Sequence, residues 1–424
     1  MAELGKEKYR DDYEFEFLDL NFYAGSLLLL GLTFDILKFI ARAVRIGRKA
    51  KVDGVIGTHD FPASVVAAAV ARELGLPGPA IDKVLLCHHK YLCREAQRRA
   101  VPDSTPAFGL VDPFDFLKKP PPLEFPFFIK PVKATLSVRA GLVRDERDLR
   151  SILGFSFLQG WVGRMIVKPF NQLLEAYTDF KLNGNYFIAE GLLHGTQVTV
   201  EGFVRAGRVE VMGIVDSVMY PGTISFARFE YPSRLPPEVK KRMEEIAARA
   251  VAAVGFDDGC FNVELMYDAG RDAVHIIETN ARICTQFSDL YEKVDGTNGY
   301  EILLALAAGK KPAFERGRGK FAVAASFVLR TFLDKKVLET PDAAHLAEIE
   351  RRFPDAIVQV LCKKGKWLSR EPQDMKSYRY AVVNMGAQSF EELEAAFEEA
   401  RALLPFRFAD KTLFRTLFPI RSLT

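Results

Sequence analysis

The sequence predicts a mixed α/β and α+β chain, and three observations carry that expectation. Residues 52–57 (Val-Asp-Gly-Val-Ile-Gly) read as a buried strand that feeds a helix ending near Leu74, the unit from which layered α/β domains are built. The β-branched and aromatic runs on either side of Asp268-Ala269-Gly270-Arg271-Asp272 read as a hairpin. After Lys311, strands near 321–331, 356–362 and 378–384 alternate with helices, an α+β pattern. At 424 residues the chain is long enough for two or three domains. The divisions expected are 1–122, 123–311 and 312–424.

Taken in order, the run from Leu27 to Ile46 reads as an amphipathic helix packed against the first domain, with a membrane surface or a partner as the alternative. Asp35, Lys38, Arg42 and Arg45 interrupt it before it reaches the length of a membrane span, about 20 residues. Asp60 is expected to cap the next helix, with Pro62 in its first turn and Gly75 as its stop. Residues 83–100 read as one further helix, and Pro120-Pro121-Pro122 as a rigid linker. Phe127-Phe128-Ile129-Lys130-Pro131 is a strand ending in a lysine, and Met165-Ile166-Val167-Lys168-Pro169 looks similar. Strands are expected at 186–190, 196–204 and 207–215, with a bend over Gly191 to Gly195. Pro236 to Val254 is an amphipathic helix stopped by Gly255, and 300–308 a short one closed by Gly309. In the C-terminal part, Ser389 precedes Glu391 and Glu392 at the start of a helix over 390–403.

The hairpin is the most informative segment. Alternate residues of a strand share a face, so Asn262 and Glu264 share one, and Glu278, Asn280 and Arg282 share one on the return strand. Phe261, Val263 and Leu265, with Ile277, Ala281 and Ile283, fill the opposite faces. Pairing about a turn near Gly270 places Glu278 opposite or diagonal to Glu264, with β-carbons roughly 5–8 Å apart. Two carboxylates that close repel unless a cation lies between them. Glutamate and asparagine oxygens suit Mg²⁺, which takes a few carboxylates together with substrate phosphates. A Mg-nucleotide site follows as the expectation.

Composition narrows the partners. The 58 basic residues nearly balance 55 acidic ones, and no long Lys/Arg run is present, so no net field draws the chain to nucleic acid. The five cysteines (87, 93, 260, 284 and 362) are odd in number and include no Cys-x-x-Cys pair, which makes a reducing cytoplasm the expected location. Cys87-His88-His89 and Cys93 offer zinc-ligand atoms, but adjacent histidines on a helix point apart, so a polar helix face is the expectation there.

Phe-Ile-Lys-Pro at 128–131, Ile-Ala-Glu-Gly-Leu-Leu-His-Gly at 188–195, Asn-Val-Glu-Leu at 262–265 and Ile-Glu-Thr-Asn-Ala-Arg at 277–282, in this order and spacing, resemble the ATP-grasp superfamily. The likeness is to its carboxylate–amine ligase type with a biotin-carboxylase-like layout, over about residues 52–310. The resemblance implies two α+β lobes clamping ATP, an abbreviated N-terminal α/β domain and a C-terminal α+β module. It implies ATP and Mg²⁺ (Mn²⁺ as an alternative) as cofactors, with Glu264, Glu278 and Asn280 as metal ligands. Lys90 and Lys130 would hold ATP phosphates, Glu190 and Leu192 the adenine, and Gln197 the ribose; Arg282 and Lys130 would stabilise charge in phosphoryl transfer. The implied activity joins a small-molecule carboxylate to an amine or thiol through an acyl phosphate, forming ADP. A regulatory nucleotide-binding protein and a biotin-dependent carboxylase component are the alternatives, although Thr196-Gln197-Val198-Thr199 shows no basic bicarbonate motif. A homodimer is admitted without being required.

Two departures stand out. Relatives often place a glycine-rich loop after the first strand lysine, whereas this chain has no glycine from Lys133 until Gly141, leaving Thr135, Ser137 and Arg139 as phosphate contacts. The usual first strand and glycine turn are not evident before residue 52. Among the remaining candidates, Glu201 reads as structural, while Arg228, Glu230 and Tyr231 offer an acceptor site that spacing does not compel.

Overall fold

The computed structural model describes residue 9 and residues 12–18, 34–133, 140–154, 156–371, 373 and 377–410. Four helices open the described chain: α1 (Ile36–Ala50), α2 (Ala63–Leu74), α3 (Ile81–His88) and α4 (Lys90–Ala100). Helix α1 covers the described part of the predicted Leu27–Ile46 helix, begins at Asp35, whose carboxylate accepts from Leu37 N, and buries Ile36, Ile40, Ala43 and Val44 against α2. The expected helix over 83–100 breaks at His89, whose ψ of 87° leaves the helical region. The break lets His89 Nδ1 cap α4 by accepting from Leu92 N, and turns Lys90 N toward the carbonyl of Val132.

Residues 52–57 do not form the expected strand. They run without a ladder partner among the described residues and are only half-buried. A strand persists where neighbours satisfy its backbone groups. Here Gly54 instead lies so close to the carbonyl of Ala307 that a side chain would collide with it.

A small antiparallel sheet follows, from β1 (Phe108–Val111), β2 (Phe127–Pro131), β3 (Gly141–Val143) and β4 (Phe187–Gly191), in the order β1-β4-β2-β3. Helix α5 (Glu146–Leu153) packs on it through Leu149 and Leu153. The Met165–Pro169 run, expected to resemble β2, lies inside helix α6 (Phe157–Tyr177), and Lys168 is exposed there. A capping box of Ser156 and Gln159 starts that helix. Thr135, Ser137 and Arg139 lie outside the described residues.

The large sheet has eight strands. They are β5 (Thr196–Arg205), β6 (Arg208–Met219), β7 (Phe226–Tyr231), β8 (Gly259–Asp268), β9 (Ala273–Asn280), β10 (Val323–Thr331), β12 (Ile357–Val360) and β13 (Tyr378–Ala387). β11 (Lys335–Glu339) pairs instead with β14 (Arg407–Asp410). The spatial order is β12-β13-β10-β7-β6-β5-β8-β9, so the β7–β10 pairing carries one sheet across residue 311. Helix α7 (Pro237–Val254) starts with Pro237 in its first turn and ends on left-handed Gly255. Helix α7 packs on helices α4 and α3, and its Met243, Ala247, Ala250 and Val254 join Val263, Leu265 and Ile276 in the core on one face of the sheet. Glu264 and Glu278 occupy the other face, which α8 (Ser288–Asp295) and α9 (Gly299–Ala307) cover further along. Helices α10 (Ala343–Arg352) and α11 (Phe390–Ala402) pack on the C-terminal strands, where Phe327 and Phe397 stack at 3.7 Å. Ser389 caps α11 as expected, its Oγ accepting from Glu392 N.

Candidate active site

The hairpin forms with the expected phase. β8 and β9 pair with Asn262 opposite Asn280 and Glu264 opposite Glu278. Phe261, Val263 and Leu265 are buried on the far side. The two carboxylates therefore face each other at a bulge that falls between Glu264 and Leu265. Glu278 Oε1 accepts from Lys90 Nζ at 2.7 Å. Glu264 has only amides as hydrogen-bond partners among the described residues: Gln197 Nε2 at 3.1 Å and Asn280 Nδ2 at 3.4 Å. Burial, then the charge of Glu278, pushes the Glu264 carboxyl above the ordinary range. Burial pushes Glu278 up as well, but Lys90 and Lys130 overcome it and hold Glu278 below that range.

This donor set fits a divalent cation. Two facing glutamates and an asparagine supply hard oxygens, and the carboxylate of Glu264 lacks a basic partner in contact. Among the described residues no group of three or more His, Cys, Asp or Glu side chains is arranged to hold a metal ion by itself. A cation held here by two carboxylates has room for oxygen ligands from a nucleotide.

Lys130, at the end of β2, lies 2.7 Å from Glu190 Oε2 on the neighbouring strand β4. The other oxygen of Glu190 accepts from Arg94 Nη2 at 2.5 Å. Burial alone would raise the Glu190 carboxyl; Arg94 and Lys130 together hold it at about 2. Arg94 also donates to the carbonyls of Ile276 and Ile277 in β9, at 2.9 and 2.8 Å. It thus ties the small sheet to the hairpin, a role sequence reasoning missed. The signal was present, since Lys90 and Arg94 stand four residues apart on one helix face.

Leu192 lies in the turn after β4 and Gln197 near the start of β5, where it meets Glu264. Glu201 is buried, accepting from Asn262 Nδ2 at 3.0 Å and from Cys284 N at 2.6 Å, and burial pushes its carboxyl up to about 7.

Arg282 follows β9 and donates from Nη2 to Asp60 Oδ2 at 3.1 Å. Asp60 is therefore not the helix cap expected of it. Pro62 occupies that position, without a side-chain cap, and the Asp60 carboxylate turns to the guanidinium. Burial works against the Asp60 charge, and Arg282 outweighs it, so its carboxyl falls well below the usual range. Cys87, His88 and His89 are buried rather than forming a polar face. His88 meets Ser64, and His89 Nε2 meets the Asn183 carbonyl. Arg228 and Glu230 pair with each other on β7, and the Tyr231 hydroxyl donates to Asp295 at 2.6 Å.

Two antiparallel sheets, a lysine from helix α4 on the paired carboxylates of the large one and a lysine at the end of β2 in the small one, set the frame for comparison. The ATP-grasp domain model matches residues 123–289. Solved structures align over most of the chain. An L-amino acid ligase from Bacillus licheniformis is 19% identical, with a TM-score of 0.67 over 89% of this chain and 86% of that one. A phosphoribosylglycinamide synthetase from Anaerococcus prevotii is 14% identical, with a TM-score of 0.59 over 86% and 84%. A biotin carboxylase from Campylobacter jejuni is 15% identical, with a TM-score of 0.61 over 88% and 79%. At such identities these likenesses report the fold. No curated protein matches the chain in sequence. Residues 123–289 thus form an ATP-grasp domain, and the chain shares the fold of these structures. Among the described residues no helix is long and apolar enough to cross a membrane.

Proposed function

We propose that the chain is an ATP-dependent ligase that phosphorylates a carboxylate and joins the acyl group to an amine or a thiol, releasing ADP and phosphate. The observation that carries this reading is the facing pair Glu264 and Glu278, flanked by Lys90 and Lys130 with Arg282 two residues beyond Asn280. Structural likeness to an L-amino acid ligase and a phosphoribosylglycinamide synthetase supports it. In this reading Glu264, Glu278 and Asn280 hold Mg²⁺, which would neutralise phosphate charge.

The protein's own groups do the rest. Lys90 and Lys130, paired with Glu278 and Glu190 in this structure, exchange those partners for phosphate oxygens when ATP enters. The turn after Glu190, with Leu192, takes the adenine, and Gln197 meets the ribose. Arg282, held by Asp60, faces the carboxylate as it becomes an acyl phosphate, where a guanidinium stabilises the transferring charge. A nucleophile then attacks the acyl carbon and phosphate leaves.

ADP release measured with pooled L-amino acids, other small carboxylates and amines tests the reading. Acceptor-dependent turnover by the wild type, lost in Glu278→Gln, supports it. ATP binding without turnover with any acceptor would leave a regulatory nucleotide-binding protein. Turnover only with bicarbonate and biotin would favour the carboxylase reading.

A further inference from the structure

Beside the phosphate end of the cleft, three side chains unused in this scheme form a line of contacts. Ser64 Oγ lies 2.9 Å from His88 Nε2, and His88 Nδ1 lies 3.3 Å from Lys133 Nζ. Lys133 comes two residues after β2, and its Nζ stands 4.5 Å from the ring centre of Phe61 and 5.4 Å from that of Phe170. All three polar side chains are buried, Lys133 at 9% exposure. The charged and titratable groups acting on Lys133 are His88 from α3, Asp60 from the loop before α2, Lys90 from α4 and Glu278 from β9. Lys90 and Lys130 each touch a carboxylate, whereas Lys133 forms no ion pair among the described residues.

A buried lysine without a carboxylate in contact is poorly placed to stay charged. Burial, then the charge of Lys90, brings its ammonium down to about 7, and burial keeps His88 well below the usual imidazole range. Lys133 then donates one N–H to His88 Nδ1, His88 donates from Nε2 to Ser64 Oγ, and the lysine lone pair stays free. Asp60 connects this nitrogen to the reaction centre, because the same carboxylate holds Arg282 and lies within the field of Lys133.

We propose that Lys133 is the general base for the amine, with His88 and Ser64 holding its nitrogen in place. The proposal rests on the ligase reading above. The amine nitrogen attacks the acyl carbon of the acyl phosphate and forms the C–N bond. The C–O bond to phosphate breaks and its electron pair leaves with phosphate. The proton lost by the amine passes to Lys133 Nζ. The lysine becomes an ammonium, still donating to His88 Nδ1.

Hydroxylamine separates this role from others, because it is weakly basic and sheds its proton to water after attack. Wild type, Lys133→Met, Lys133→Arg and His88→Ala are assayed with ATP and the twenty L-amino acids. Hydroxamate is read with hydroxylamine, and amide with the amino acids as nucleophiles. Lys133→Met is expected to hold the KM for ATP and the hydroxamate rate within about threefold, while amide formation falls about 10²–10³-fold. The acidic limb near pH 7 in the wild-type amide profile should vanish, and Lys133→Arg should not restore the rate, since arginine stays charged. Should Lys133→Met not fold, His88→Ala is expected to show the same split. Equal loss of hydroxamate and amide would overturn the proposal, as would full amide formation by Lys133→Arg. A wild type that forms hydroxamate but shows no acidic limb would also overturn it. A wild type that forms neither product sinks the ligase reading itself, and the base with it.

Discussion

Glu264 and Glu278 stand directly opposite each other in the β8–β9 ladder, yet their surroundings differ: Glu278 touches Lys90 at 2.7 Å, and Glu264 touches only amides. Removing one charge from each side therefore has unequal consequences in the ligand-free protein. Glu264→Gln ends a repulsion and is expected to leave stability unchanged or raise it by about 1 kcal/mol. Glu278→Gln leaves the Lys90 ammonium buried without its counter-ion and is expected to cost about 3 kcal/mol. Both should abolish Mg-ATP turnover. Urea denaturation beside ADP release checks this; equal destabilisation by the two substitutions would contradict the assignment of Lys90 to Glu278 alone.

Glu190 neutralises two cations, Arg94 and Lys130. Its folded-state carboxyl lies near 2, below the ordinary value of 4.5. A depressed carboxylate stabilises the fold above its unfolded value and loses that contribution as pH falls toward the folded one. The protein should therefore lose up to about 3 kcal/mol from this group between roughly pH 4.5 and 2. Glu190→Gln should already be destabilised at pH 7 by about 3–5 kcal/mol and should show a flatter acid limb. Stability curves from pH 7 down to 3 decide it, and an unchanged acid limb would refute the assignment.

How far the sequence reaches depends on whether a feature is local. The hairpin face of Asn262, Glu264, Glu278 and Asn280 was legible because period-two alternation and a short Asp/Gly turn fix which residues meet. Helix α7 was legible through its proline start and glycine stop. The Met165–Pro169 run misled because a short apolar stretch fits strand and helix equally, and the Ser156–Gln159 capping box upstream was the deciding signal. The partner of Asp60 lies 222 residues away in sequence, so local pattern favoured the nearer role of helix cap. The Arg94–Glu190 pair, 96 residues apart, is a tertiary contact of the same kind.

Asp60 acts on the proposed chemistry through Arg282, which it holds at 3.1 Å. Asp60→Asn keeps the shape and one hydrogen bond but removes the charge that fixes the guanidinium. We expect kcat to fall about 10–100-fold while the KM for ATP stays within about threefold. Arg282→Lys should lose at least as much, because an ammonium lacks the planar fork. Steady-state kinetics with the acceptor found in the screen checks both. A large rise in KM for ATP with kcat unchanged would place the pair in nucleotide binding.

The turn that joins the two sheets allows one further test. Gly195, between β4 and β5, has φ +124°, a region closed to residues with a Cβ. A Cβ there would also overlap the Tyr267 carbonyl oxygen near the end of β8, the strand that carries Glu264. Gly207, with φ +73° and open space around it, is the matched control. Gly195→Ala is expected to cost about 3 kcal/mol or more through strain and overlap, and Gly207→Ala only about 1 kcal/mol. If the turn sets how the lobes meet ATP, Gly195→Ala should also weaken ATP binding at a temperature where the protein remains folded, and Gly207→Ala should not. Calorimetric titration with ATP and thermal melts read both effects, and equal losses in the two variants would show that the turn has no special place in the clamp.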